Sequence, residues 1–96
     1  MEAKKVRPVA RDIQKRFFDA LDLLIESGQI KGLQTFCSDY ELHRPKYSNI
    51  RTSIRDPKNP GTGYKLIDID ALSYLVKDYN VSADWLLSGQ GGVFRK

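Results

Sequence analysis

The stretch LQTFCSDYELHRPKYSNIR, residues 33–51, leaves this chain little freedom in its local structure. Its apolar residues stand at Phe36, Cys37 and Tyr40, then at Leu42, then at Tyr47 and Ile50. Offsets of one, four and three describe helical faces. The break at 41–43 has room only for a tight turn. Two short helices, over 34–40 and 45–52, joined that closely must cross steeply, and the second then projects from the surface. Its outer side carries Arg44, Lys46, Ser48, Asn49 and Arg51.

The rest of the chain reads as helices around this pair. Residues 1–9, with Lys4, Lys5 and Arg7, read as a flexible basic arm, 10–91 as one folded domain and 92–96 as a tail. Phe17, Phe18, Leu21, Leu24 and Ile25 line one face of a long first helix that Gly28 ends. Residues 55–65 hold two prolines and two glycines, which makes them a loop. Leu72, Leu75, Val76 and Tyr79 define a fourth helix, with Asp68 or Asp70 available as its cap. Ser82 is placed to cap a last short helix over 83–87 that ends at Gly89. There is no strand pattern and no internal repeat. The expected fold is all-α, with five helices.

Charge narrows the function. The chain has 96 residues, enough for one small domain, and a net charge of +4. That charge is unevenly spread: residues 1–16 carry net +4, 17–42 carry −4, 43–65 carry +5 and 66–89 carry −3. The cations gather on the helix that the apolar pattern leaves outward, a distribution suited to phosphate. Arg51, Arg55, Lys58 and Lys65 read collectively as phosphate partners. In a DNA major groove Arg and Lys read guanine and Asn reads adenine, which gives Arg44, Lys46 and Asn49 roles in base recognition. Tyr47 repeats the spacing to Ile50 and belongs to the core, as does Trp85; Tyr64 either stacks or packs at the core's edge.

Other chemistries find little support. Cys37 is the single cysteine and lies on an apolar face, so it reads as a small buried residue. His43 is the single histidine and has no ligand constellation around it. The glycines of GTG, residues 61–63, follow no strand and precede no Lys-Ser/Thr ending, so they form no phosphate loop. No apolar run approaches a membrane span, and the N-terminus lacks the apolar centre of a secretory signal, so a cytoplasmic protein is expected. No catalytic pair, metal, cofactor or small-molecule ligand is indicated.

FCSDYELHRPKYSNIR and, downstream, NVSADWLLSGQG together resemble the phage-repressor-like (Cro/repressor, Xre-type) helix-turn-helix family over about residues 11–91. The resemblance implies a five-helix lambda-repressor-like DNA-binding domain. It implies that Gln34 and Thr35 hold a DNA phosphate, and that Cys37 is the small residue packed between the two short helices. It further implies that Arg44, Pro45, Lys46 and Asn49 contact bases or adjacent phosphates, and that Thr52 and the following loop contact the backbone again. Two positions depart from the family pattern. Glu41 stands where many members have glycine, and a left-handed backbone there costs a non-glycine residue about 1–2 kcal/mol; a differently shaped turn is expected. Pro45 disfavours helical geometry at Arg44, so the helix is expected to begin at Pro45, with Lys46 and Asn49 the better base readers.

The expectation is a sequence-specific transcriptional regulator of double-stranded DNA, a repressor acting by operator occupancy. The alternative is an adaptor or antitoxin-like interaction module that keeps the fold without binding DNA. A single-stranded nucleic-acid binder would want exposed aromatics among the cations. One recognition helix reads too few base pairs to find a site in a genome, so a homodimer on a palindromic operator is expected, forming on DNA if not before. Leu86, Leu87, Val93 and Phe94 are the expected contact, since both leucines cannot face the core and the tail offers no core position.

Overall fold

Pro8 begins the first helix, α1 (Pro8–Glu26). A missing N–H costs nothing in a first turn and the fixed φ suits a helix. The computed structural model describes residues 7–55 and 65–95. Helix α1 therefore starts two residues inside the segment expected to be an arm; Lys4 and Lys5 lie outside the described residues. Along α1, Phe17, Phe18, Leu21 and Leu24 of the anticipated face are buried and Ile25 is half-buried, while Gln14, outside that expectation, is buried as well. It ends where the N–H of Gly28, at φ 84°, turns back onto the carbonyl of Ile25.

Helix α2 (Leu33–Asp39) buries Phe36 and Cys37, and α3 (Arg44–Arg55) buries Tyr47 and Ile50. Between them the Glu41 N–H donates to the Ser38 carbonyl at 3.3 Å and the Leu42 N–H to the Cys37 carbonyl at 2.8 Å. That pair of bonds closes a helix through a left-handed residue, here Glu41 at φ 57°. The expectation of a differently shaped turn is thus corrected: the left-handed turn is kept with a glutamate in it. The expected start at Pro45 moves as well. The His43 carbonyl accepts from the Tyr47 N–H at 3.2 Å, so Arg44 is already helical and Pro45 sits where no N–H is needed. At its other end α3 runs past Thr52 to Arg55, because Ile54 continues the Tyr47–Ile50 stripe against the core.

Helix α4 (Ile69–Tyr79) stops at Asn80, in the left-handed conformation that asparagine tolerates. In α5 (Ala83–Ser88), the Ser82 hydroxyl accepts from the Trp85 N–H and Gly89 closes the far end. Among the described residues these five helices are the whole regular structure, apart from one antiparallel bridge between Val81 and Phe94. The chain beyond α5 is therefore not loose. The Ser82 N–H donates to Val93, the Arg95 N–H to the Asn80 carbonyl, and the Asn80 side chain to the Arg95 carbonyl. Val93 packs against the core, correcting the expectation that the tail has no core position.

The core sits where α1 meets the others. Phe17 contacts Phe18, Phe36 and Tyr47 ring to ring, at centroid distances of 5.0, 5.9 and 6.1 Å. Leu75, Val81 and Leu86 complete it. Three polar side chains of α1 tie the helices together: Gln14 accepts from the Ile67 N–H at 2.8 Å, Arg16 donates to the carbonyls of Leu86 and Leu87 at the end of α5, and Asp22 reaches α3.

Candidate nucleic-acid interface

Burial of Tyr47, Ile50 and Ile54 phases α3, and the opposite side follows from that phase. Arg44, Pro45, Asn49 and Thr52 are exposed and Ser48 is half-buried. Their numbers advance by one, three, one and three, so they form one outward stripe. Helix α3 has no acidic residue in its first turn and Arg55 in its last, where a cation suits the helix dipole. On α2, Gln34 is exposed and Thr35 half-buried. Lys65 is half-buried in the segment leading to α4. Lys58, Tyr64 and glycines 61 and 63 lie outside the described residues.

The cations of α3 fall into two groups. Arg44 faces outward and makes no ion pair among the described residues. Lys46 turns back to Asp68, with its Nζ 3.3 Å from Oδ1. The Tyr47 hydroxyl donates to Asp68 Oδ2 at 2.7 Å and accepts from the Asp68 N–H at 3.0 Å. Burial first, and the Asp68 hydrogen bond second, push the Tyr47 hydroxyl above its ordinary range. The same hydrogen bond, helped by Lys46 and opposed by burial, holds the Asp68 carboxyl below its ordinary value. Lys46, expected to be a free base reader, is therefore held at the side of the stripe. Asp68 occupies the cap position of α4, but its carboxylate is spent on Tyr47 and Lys46 and not on the helix end.

On the other flank, Asp22 of α1 takes Arg51 and Arg55 together. Arg51 donates to Oδ1 at 3.0 Å and Arg55 to Oδ2. Beside this triad an open cleft of about 410 Å³ is lined, among the described residues, by Ser48, Arg51, Thr52 and Arg55. The carboxylate partners escaped the sequence reading. Their only trace there is the −4 block of residues 17–42, which holds Asp22, and the −3 block of 66–89, which holds Asp68, on either side of the +5 block of 43–65.

A second surface is apolar. Leu86 is fully buried, which removes it from any subunit contact; its neighbour Leu87 is 51% exposed. Leu87 joins Ile69, Leu72, Val76 and Lys77 along a groove of about 330 Å³ between α4 and α5. Ile69 is 87% exposed. Phe94 is 38% exposed, while Val93 is partly buried against the core. A third surface is aromatic and acidic. The Tyr40 and Tyr74 rings stack at 4.1 Å and 12°, with their hydroxyls donating to Asp78 and Asp70. Burial, and next the Asp78 hydrogen bond, raise the Tyr40 hydroxyl above its usual range.

Comparison with protein-family models, with characterised proteins and with solved structures yields no match for this chain. No helix among the described residues is long and apolar enough to cross a membrane.

Proposed function

We propose that this chain is a sequence-specific regulator that binds double-stranded DNA, a repressor of the helix-turn-helix class that acts by occupying its operator. In this reading α2 and α3 are the helix-turn-helix of a lambda-repressor-like domain. The observation that carries it is the outward stripe of α3: Arg44, Ser48, Asn49 and Thr52 offer cationic, hydroxyl and amide groups with no carboxylate among them. Such a stripe matches the donor and acceptor pattern of base edges in the major groove. Arg51, Arg55 and Lys65 lie to the phosphate side, and Gln34 and Thr35 meet the backbone next to α2. Occupancy requires no covalent chemistry. The stacked tyrosines sit among Asp70 and Asp78, which disfavours a single-stranded partner, since such a strand needs rings set among cations.

One observation favours the adaptor reading. Lys46, Arg51 and Arg55 already have carboxylate partners within the chain, so much of the charge on α3 is neutralised before any DNA arrives. Selection of bound sites from random duplexes, followed by a salt titration on the best of them, separates the two. A regulator recovers a palindromic site and shows a log-affinity against log-salt slope of about −4 to −5 per subunit, as expected for roughly 4–6 phosphates. An adaptor recovers no sequence and binds no duplex even at low salt.

A further inference from the structure

Ser48, Arg51, Thr52 and Arg55 stand at offsets of three, four and seven on α3, so all four project to one side of the helix. They line one cleft. Each brings a hydrogen-bond donor, two hydroxyls and two guanidiniums, and two of the four are cations. A guanidinium has five N–H donors in a planar fork. Asp22 engages Arg51 and Arg55 each through Nη2, so this carboxylate does not use the rest of either fork. Both oxygens of Asp22 are used, one per arginine, and its side chain is only 25% exposed. The carboxylate comes from α1, which is independent of the turn and stripe that α3 would present to bases. It is not among the residues that line the cleft, and it is an anion already in place on both guanidiniums.

From this we infer that the cleft is a binding site for a single phosphodiester of the duplex, and that Asp22 is its built-in competitor, occupying the two guanidiniums in the free protein and lowering affinity for every phosphate that enters. The inference rests on the DNA-binding reading and names the regulation of that surface. A phosphate contact carries no sequence information, so a competitor for it weakens specific and random sites alike. It thereby trims the phosphate share of affinity, which is essentially all of non-specific binding and a part of specific binding.

The test is fluorescence anisotropy with a selected duplex and a random duplex of equal length. Asp22→Asn binds both duplexes roughly three- to ten-fold tighter, the range expected for releasing two part-exposed pairs. Asp22→Glu, which keeps the charge, stays near the parent protein. Asp19→Asn removes an equal charge one helical turn away, where it pairs with exposed Lys15, and changes affinity by less than about two-fold at physiological salt. In an Arg51→Gln/Arg55→Gln background the gain from Asp22→Asn disappears, because the coupling runs through those two residues. If the parent binds DNA and Asp22→Asn binds no better, the inference is overturned while the DNA reading stands. Should the parent bind no duplex, the DNA reading fails, and inorganic pyrophosphate followed by the Arg51 and Arg55 Nε–H resonances decides the rest. Shifts of those resonances in the parent that grow larger in Asp22→Asn uphold the anion site; resonances that stay put in both proteins overturn it. Circular dichroism checks that Asp22→Asn is folded. If it is not, the double arginine variant carries the test: unchanged duplex affinity there overturns the inference.

Discussion

Glu41 is held at φ 57° by the two hydrogen bonds that close α2. A side chain in that conformation is strained against its own carbonyl, whereas glycine is not. Glu41→Gly is therefore expected to raise stability by about 0.5–1 kcal/mol, part of the strain relief being offset by the freer unfolded chain. Urea denaturation measures it, and a loss of stability would mean that the glutamate side chain contributes a compensating interaction. Asn49 lies on the exposed stripe of α3 and has the amide that reads adenine. Asn49→Ala is expected to cost about 1–3 kcal/mol on the preferred duplex and little on random DNA. Equal binding of wild type and variant to both duplexes would remove Asn49 from readout.

At the level of elements, α3 is anchored on one flank by α1 and on the other by the start of α4. The Asp68 anchor depends on pH. Its carboxyl is lowered from an ordinary value of 3.8, so it stabilises the fold above that value. The contribution fades as pH falls below 3.8 and through the lowered value. Thermal melts between pH 2 and 6 should show the wild type losing more of its stability across that acid limb than Asp68→Asn; parallel limbs would show that Asp68 titrates alike in folded and unfolded chains. The helices themselves were largely legible, because Phe17 to Leu24 and Tyr47 to Ile50 repeat at helical spacing and Gly28, Ser82 and Gly89 punctuate them. The partners were not. Asp22 and Arg51 stand far apart in sequence, and only the docking of α1 on α3 decides that they meet. Leu86 and Leu87 show the same limit at short range. In a helix as short as α5, periodicity has too few repeats to say which leucine turns inward, and packing chose Leu86.

For the whole molecule three surfaces are distinguished: the cationic stripe lies on α3, the acidic tyrosine pair joins the end of α2 to α4, and the apolar groove lies between α4 and α5. The proposed homodimer would use that groove. Lys77 lines it, and Asp70 sits beside Ile69 at the other end of the same helix, so two antiparallel α4 helices bring opposite charges together at both ends. Such a two-fold pair would hold two recognition helices about 34 Å apart, one turn of DNA. Ile69→Lys places a charge in the groove at a position 87% exposed, where the monomer tolerates it. It is expected to abolish self-association on a palindromic duplex in analytical ultracentrifugation while monomer melting changes by less than about 0.5 kcal/mol. Unaltered association would move the contact to Leu87 and Phe94 alone.

Through Gln14, Arg16 and Asp22, α1 grips the entry to α4, the end of α5 and the flank of α3. In mechanical terms it is a spar to which the proposed DNA face and the proposed subunit face are both bolted. Neither face can loosen by itself without breaking a tie to the spar, so the domain should open as a single unit. Native-state amide exchange would then give α1, α3 and the end of α5 a common, global protection, where a looser assembly would let α5 exchange first. In the proposed regulator both faces hang on that one helix, so a change that loosens α1 would cost pairing and DNA binding together.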